Sequence, residues 1–275
     1  MNKKLYYNGF MYKEWIFLDI FQFTIMGVEL YYILWFFFIF SFAGVIIETI
    51  FCYSQTGTIE CRTGTLYLPL IPVYGIGAVA LSLFLKGLIN DPALLFLGGI
   101  VVGAITEYIG SYVMEKLFHT VFWDYSNEPL NIHGRICLKY SIYWGFLSLI
   151  LIYVLDKYVL ALINWMSRDT GEILLVVITV LAIFSFILTS LAFVRFRKKV
   201  AILKAEKNGT TPTEKLSKGL VGKIVDLLAP DAVMVFTFPN MNFVQDYMNI
   251  KGIKKKVLHL DFRIVKKSKL RKEEV

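Results

Sequence analysis

The chain has 275 residues, of which 57% are hydrophobic and only 18% are charged, a composition too apolar for a soluble domain of this length. Its formal net charge is +8, and the basic excess lies entirely after residue 194, where 19 of the 29 lysines and arginines meet only 8 of the 21 acidic residues. These values favour an integral membrane protein with a basic tail.

The N-terminal segment, residues 1–29, is predicted to lie in the membrane interface. Between Lys13 and Met26, aromatic and aliphatic residues are mixed with Glu14 and Asp19. This mixture suits a helix lying on the bilayer better than one crossing it. A short extension of the first membrane span fits the same residues.

Five apolar stretches meet or approach the length of about 20 residues that a bilayer span needs. They are Leu30–Phe51, Leu70–Leu88, Ala93–Leu117, Cys137–Leu155 and Ile173–Val194. We therefore predict an all-α bundle over residues 30–194, with about five transmembrane helices arranged as two similar hairpins plus one. Residues 195–275 are predicted to form a basic tail of mixed structure.

Two carboxylates interrupt these apolar stretches, Glu48 in the first and Glu107 in the third, each four residues after a glycine. A carboxylate at a bilayer centre costs about 2.5 to 3.5 kcal/mol on insertion scales, so it faces a bundle interior or water and finds a partner. Arg62 and Arg135 follow in the polar links before the next spans. We predict the ion pairs Glu48–Arg62 and Glu107–Arg135, or the crossed pairs. These pairs fit a structural lock, a polar path or a headgroup site.

Prolines and glycines crowd the start of the second span, at Pro69, Pro72, Gly75 and Gly77. Such residues leave backbone groups unpaired, which is tolerated in a membrane only inside protein or beside water. Broken helices of this kind line transport sites, whereas a proline-initiated helix accounts for Pro72 alone.

The tail should lie on the cytoplasmic side, because lysine and arginine close to a span are retained there. Within it, Thr213–Leu228 predicts an amphipathic helix, and Val233–Phe238 and Val257–Val265 predict short strands. Basic segments beside a membrane usually attract anionic headgroups, and we favour that interpretation over nucleic-acid binding.

Sequence motifs for catalysis are missing. The chain has no Gly-x-x-x-x-Gly-Lys-Ser/Thr phosphate loop, no Gly-x-Ser-x-Gly elbow and no His-Glu-x-x-His helix. Cys61, His119, His133 and Cys137 match no common zinc spacing. We therefore expect no enzymatic activity, no cofactor and no metal site, and any ATP hydrolysis would come from another protein.

Several motifs resemble a known family. They are Ser41–Glu48 (SFAGVIIE), Arg62 with Leu66 and Tyr67, Pro69–Gly75 (PLIPVYG), Trp123–Ser126 (WDYS) and Asn131–Leu138 (NIHGRICL). Together they resemble the CmpB-like ABC-transporter type IV permease family, over roughly Tyr31 to Tyr153. The resemblance implies a multi-pass bacterial membrane protein, a permease subunit served by a separate ATPase.

These patterns lead to one main hypothesis, a permease-like subunit of the cell membrane with a polar site between its helices. The predicted site or path consists of Glu48, Arg62, Tyr74, Glu107, Trp123, Asp124, Asn131 and Arg135. The alternative is a non-transporting lipid-binding or regulatory scaffold that uses the basic tail at the inner leaflet. A weaker third hypothesis is an enzyme acting on lipid headgroups through Glu48, Glu107 and Asp124. Membrane lipids, an ATPase subunit and a second copy of the chain are the candidate partners.

Overall fold

A computed structural model describes residues 20–57, 64–118, 120–207, 209, 211, 219–238 and 242–243. Its helices are α1 (Leu30–Thr56), α2 (Pro72–Leu85, continued by a 3-10 turn Lys86–Leu88), α3 (Pro92–Phe118), α4 (Leu138–Ile150), α5 (Asp156–Trp165), α6 (Arg168–Lys207), α7 (Leu220–Leu228) and α8 (Asp231–Thr237). A π-helical turn, Leu151–Leu155, joins α4 to α5 without a break. The described strands are two residues long and form three antiparallel pairs.

Within the described residues, four helical segments are long and apolar enough to cross a membrane. They are Leu30–Ser54, Pro92–Phe118, Leu138–Trp165 and Arg168–Ile202. The segment Pro72–Leu88 is apolar but shorter. A helix of that length covers about 25 Å at 1.5 Å per residue, against a hydrocarbon core of about 30 Å. The predicted all-α membrane bundle is therefore confirmed, with its second helix shorter than a full span.

The helices form two hairpins, α1 with α2 and α3 with α4, which bring small residues into contact. A Cβ added at Gly145 would lie 2.7 Å from the Phe96 ring, and one at Gly75 would overlap the Phe37 carbonyl and the Ser41 hydroxyl. The glycines therefore let the two helices of each hairpin approach closely, as small residues do between membrane helices. This packing accounts for Gly75, which the sequence had associated with a broken helix.

The N-terminal residues in the described part form a 3-10 turn, Ile20–Gln22, and a tight hairpin of β1 (Thr24–Ile25) and β2 (Val28–Glu29). The helix predicted over Lys13–Met26 is therefore wrong for residues 20–26, while residues 13–19 lie outside the described residues. Met26 and Gly27 both have positive φ, at 52° and 79°, which makes the turn between the strands. Glu29 then pairs with Arg168 at the start of α6, with 2.7 Å between Oε2 and Nη1.

One end of the bundle, which we call the tail end, gathers the two longer loops and the tail. The backbone N–H of Leu66 donates to Thr189 Oγ1 on α6 at 3.0 Å. The rings of Phe118 and Phe193 lie 5.3 Å apart, between the ends of α3 and α6. Strand β3 (Thr120–Val121) pairs with β6 (Asn242–Phe243) of the tail, and β4 (Asn131–Ile132) pairs with β5 (Ile136–Cys137) in the α3–α4 loop.

The described part of the tail is helical where strands were expected. The strand predicted at Val233–Phe238 is wrong, because α8 occupies Asp231–Thr237. Pro230 precedes α8, and Asp231 in its first turn complements the helix dipole and pairs with Lys199 on α6, so these contacts override the β-branched composition. The predicted helix Thr213–Leu228 is described from Leu220 onward, and the predicted strand Val257–Val265 lies outside the described residues. Helix α6 itself runs unbroken through the predicted domain boundary at residue 194.

Candidate polar site between the two hairpins

Glu107 lies on the inner face of α3 with only 7% of its surface exposed. Tyr125 Oη donates a hydrogen bond to Glu107 Oε1 at 2.8 Å, and Trp144 Nε1 donates to Oε2 at 3.3 Å. Neither donor carries a charge. The carboxyl group is therefore held in the bundle by two aromatic side chains, one from the α3–α4 loop and one from α4.

Glu48 is the corresponding carboxyl of α1, and it is half-buried. Tyr74 Oη, from α2, donates to Glu48 Oε2 at 3.2 Å. One turn further along α1, Cys52 Sγ lies 3.9 Å from Glu48 Oε1, as a weak donor. An aromatic donor from the partner helix therefore contacts the acid in this hairpin as well.

A glycine four residues before each acid admits the aromatic ring. A Cβ added at Gly44 would lie 2.7 Å from the Tyr74 ring, and one at Gly103 would overlap Trp144. With no side chain at the glycine, the ring crosses the interface and its polar atom reaches the acid one turn away. The same arrangement thus occurs in both hairpins, with Tyr74 and Trp144 as equivalents.

The two halves meet at these rings. The centroids of Tyr74 and Trp144 lie 6.0 Å apart, and a Cβ added at Gly77 of α2 would lie 2.6 Å from the Trp144 ring. Trp144 therefore packs into both hairpins at once. Glu48 and Glu107 belong to one polar cluster, which we call the carboxyl-aromatic cluster: Glu48, Tyr74, Glu107, Tyr125 and Trp144.

The loop between α3 and α4 is built to place Tyr125. Its backbone N–H donates to the Gly134 carbonyl at 2.8 Å, and the N–H of Ser126 donates to Asp124 Oδ1 at 2.9 Å. Gly134 has φ +65°, and a Cβ there would lie 2.7 Å from Asp124 Oδ1. Only glycine fits this close approach without strain.

Asn131 and Trp123 hold the other side of this loop. Asn131 Nδ2 donates to the Glu128 carbonyl at 2.9 Å, and its Oδ1 accepts from the N–H of Gly134 at 3.1 Å. Trp123 Nε1 donates to the carbonyl of Arg135 at 3.0 Å. Trp123, Asp124 and Asn131, all predicted as site residues, therefore contact the loop backbone rather than the carboxyls.

Tyr125 is half-buried where the loop meets the bundle. Its ring stacks on Tyr140 with centroids 4.5 Å apart. Burial is the largest cause that raises the pKa of the Tyr125 phenol above its ordinary value, and the neighbouring Glu107 carboxyl raises it further. The phenol therefore stays protonated and can donate to Glu107 over the whole physiological range.

Arg135 does not pair with Glu107, so that prediction is wrong. Its guanidinium forms an ion pair with Glu115, and Nη1 donates to Ser111 Oγ at 3.2 Å. Its charge also lies over the Tyr112 ring, 5.5 Å from the centroid. Glu115 lies eight residues after Glu107 on α3, about 12 Å nearer to the end of the helix where the loop begins. The arginine of the loop therefore reaches Glu115 before Glu107.

The predicted pair Glu48–Arg62 stays a prediction, because Arg62 lies outside the described residues. Two members of the carboxyl-aromatic cluster were missed by sequence reasoning, namely Tyr125 and Trp144. Both carried a signal: Tyr125 lies inside the WDYS motif, and Trp144 precedes Gly145 as Tyr74 precedes Gly75. Among the described residues, no group of three or more His, Cys, Asp or Glu side chains is placed to hold a metal ion.

These features define a class, a multi-pass helical membrane protein built from two similar hairpins that each bury a carboxyl group. The chain belongs to the family described as "Putative ABC-transporter type IV", whose family model matches residues 35–190. The match runs from α1 into α6, covers the whole carboxyl-aromatic cluster and ends before the tail. Comparisons with curated proteins and with solved structures give no match. The family membership and the apolar helices together fit a transporter-like membrane protein.

Proposed function

We propose that this chain is the permease subunit of a transporter in the cell membrane, with its polar path at the carboxyl-aromatic cluster. The observation that carries the proposal is the duplication of one arrangement, a membrane carboxyl next to a glycine and an aromatic donor, at the interface of two hairpins. A purely structural ion pair needs no such duplication. Ionisable groups inside a bundle commonly mark pathways for ions or solutes.

The hairpins offer a way to open such a path. They have the same orientation in the chain, like the parallel repeats whose halves move against each other in transporters. Trp144 contacts both hairpins, so a relative movement of the hairpins changes its contact with Gly77 and its distance to Glu107. A carboxyl group in this position favours a solute that carries hydrogen-bond donors or positive charge.

The energy source would be a separate ATPase, because the sequence contains no phosphate loop. We place the tail end in the cytoplasm, where its basic residues are retained and where an ATPase would bind. The chain itself would carry out no covalent chemistry.

Glutamine variants test the proposal. The full chain with its native neighbours is purified into nanodiscs, and ATPase activity of the recovered complex is measured for wild type, Glu107→Gln and Glu48→Gln. We expect both variants to insert and co-purify normally but to lose most of the activity. Glu115→Gln is the matched control on the same helix and should keep it. Recovery of no ATPase, or full activity of both glutamine variants, would refute the permease role.

The scaffold hypothesis has its own support in the charge of the tail. Residues 244–275 hold ten of the 29 lysines and arginines, and they lie beyond every described helix. A scaffold acting at the inner leaflet should lose its function when these residues are truncated and tolerate Glu107→Gln. A permease should instead lose its function with Glu107→Gln and tolerate the truncation.

A further inference from the structure

Ion pairs attach helix α7 to the C-terminal part of α6. Arg195 Nε donates to Asp226 Oδ1 at 2.6 Å, and Lys199 Nζ lies 2.9 Å from the same carboxylate. Lys199 also pairs with Asp231 of α8 at 2.8 Å. On the adjoining side Val225 is buried, with 3% of its surface exposed. These contacts fix both the position and the orientation of α7 on α6.

The outward face of α7 is apolar and exposed. The exposed fractions are 74% for Leu220, 63% for Val221, 44% for Ile224 and 77% for Leu227. Four large aliphatic side chains on one face of a nine-residue helix are unfavourable in water and typical of a helix that lies in a membrane interface.

The place of attachment explains this exposure. The apolar run of α6 ends at Val194, and the ion pairs to α7 begin at Arg195, the next residue. The apolar face of α7 continues the exposed apolar surface of α6 at Ile187 and Leu191. The two faces therefore share one environment, and for a membrane-spanning helix that environment is lipid.

A groove of about 140 Å³ separates the two helices. Its lining is apolar and includes Phe184, Ile187 and Leu191 of α6 with Val221, Ile224 and Leu228 of α7. Lys223 is exposed beside this face, where its stem can follow the apolar surface while the ammonium group reaches a phosphate.

We propose that α7 lies in the bilayer interface and that the groove between α6 and α7 binds an acyl chain of an anionic phospholipid from the leaflet at the tail end. The apolar face supplies the hydrophobic contact, and Lys223 the contact to the headgroup. The residues that line the groove include no member of the carboxyl-aromatic cluster, and the proposal is independent of any transport role.

The test uses an environment-sensitive fluorophore on single cysteines. In a background of Cys52→Ala, Cys61→Ala and Cys137→Ala, the variants Leu227→Cys, Val221→Cys and Lys223→Cys are labelled with NBD in nanodiscs of phosphatidylcholine and phosphatidylglycerol. Lipids brominated on the acyl chain act as quenchers. We expect blue-shifted emission and at least twofold stronger quenching at positions 221 and 227 than at position 223, which serves as the matched reference at headgroup depth.

The groove has its own measurement. Ile224→Trp fills it, so native mass spectrometry should show one phosphatidylglycerol fewer per chain than for wild type, with unchanged elution on size exclusion. Emission at 227 typical of water would overturn the proposal. Blue-shifted emission without quenching would overturn it too, because protein rather than lipid would then cover the face. Equal lipid counts for wild type and Ile224→Trp would refute the groove as an acyl site.

Discussion

The two hairpins share one arrangement but differ in how far they enclose their acid. In the second hairpin Glu107 is 7% exposed and accepts hydrogen bonds from Tyr125 and Trp144. In the first, Glu48 is half-buried and accepts from Tyr74, with the weak donor Cys52 one turn away. The second acid is thus enclosed by its loop, while the first is closer to the surface of the bundle.

The glycine and the aromatic residue set the geometry that the two hairpins share, and in the second hairpin the loop adds the Tyr125 phenol at Glu107. Tyr125 reaches Glu107 because the α3–α4 loop is fixed by its own hydrogen bonds, including those of Asn131. A buried polar group costs more to disturb than a half-buried one, since water cannot replace a lost partner. The same change should therefore have a larger effect in the second hairpin.

The largest effect is expected at the glycine that makes room for the Trp144 ring. Gly103→Val forces methyl groups into the Trp144 ring, and overpacking of this kind costs about 1 to 3 kcal/mol, occasionally more. Thermal unfolding in detergent, followed by size exclusion, should show a clear loss of stability. Gly110→Val is the control, because its nearest neighbour, Val73, lies 3.6 Å from the added Cβ. Similar losses for both would contradict a specific glycine contact.

Removing the aromatic donors should affect the two hairpins to different degrees. Trp144→Phe keeps the ring contact at Gly103, but it removes the outer indole atoms against Gly77 and leaves Glu107 Oε2 without its donor, and the lost donor alone costs about 1 to 3 kcal/mol. Tyr74→Phe should cost less, about 0.5 to 1.5 kcal/mol, because Glu48 is half-buried. Unfolding temperatures measure both. Trp165→Phe, at a residue 84% exposed, is the neutral control. If Tyr74→Phe is the more damaging variant, the proposed order of burial is incorrect.

The outline of this fold was predictable because apolar length determines where a chain can cross a bilayer. The first predicted span began at Leu30, where α1 begins, and the third differed from α3 by one residue at each end. The duplication was also visible, since Glu48 and Glu107 follow glycines at the same spacing. The spacing is a local property, because the regular geometry of a helix determines which residues lie on one face.

The partners of the charged residues were less predictable. Sequence order suggested Glu107 for Arg135, yet the direction of the loop brings its guanidinium to Glu115. Tyr125 escaped notice because the WDYS motif that contains it does not show which distant carboxyl the tyrosine contacts. Such contacts depend on how a loop folds back over the bundle, which no helical or strand period encodes.

A double-mutant cycle distinguishes the observed ion pair of Arg135 with Glu115 from the predicted pair of Arg135 with Glu107. Arg135→Gln and Glu115→Gln should show a coupling energy of about 1 kcal/mol, the range of partly exposed ion pairs. The cycle of Arg135→Gln with Glu107→Gln should be additive within about 0.5 kcal/mol, as for residues without shared contacts. Both are measured as unfolding free energies in the same detergent. Coupling in the second cycle and not in the first would restore the pair that the sequence suggested.

The smallest effect is confined to alkaline pH and concerns Tyr125. Its pKa is raised in the folded protein, so the folded state holds the phenolic proton more tightly than the unfolded chain does. This contribution to stability is full below the ordinary tyrosine pKa of about 10 and is lost as the pH rises through the raised value. We expect the unfolding temperature of wild type to fall more steeply than that of Tyr125→Phe between about pH 10 and pH 11.5.

The control for this titration is Tyr158→Phe, at a side chain 62% exposed, which should follow the wild-type curve. Because Tyr125 donates to Glu107 only while it is protonated, its ionisation would set two negative charges side by side in the second hairpin. The first hairpin has its own phenol, Tyr74, which donates to Glu48 and is still present in Tyr125→Phe, so the difference between the two curves reports on the second hairpin alone. Parallel curves for wild type and Tyr125→Phe would mean that the phenol is open to water, and the second acid would then be no better enclosed than the first.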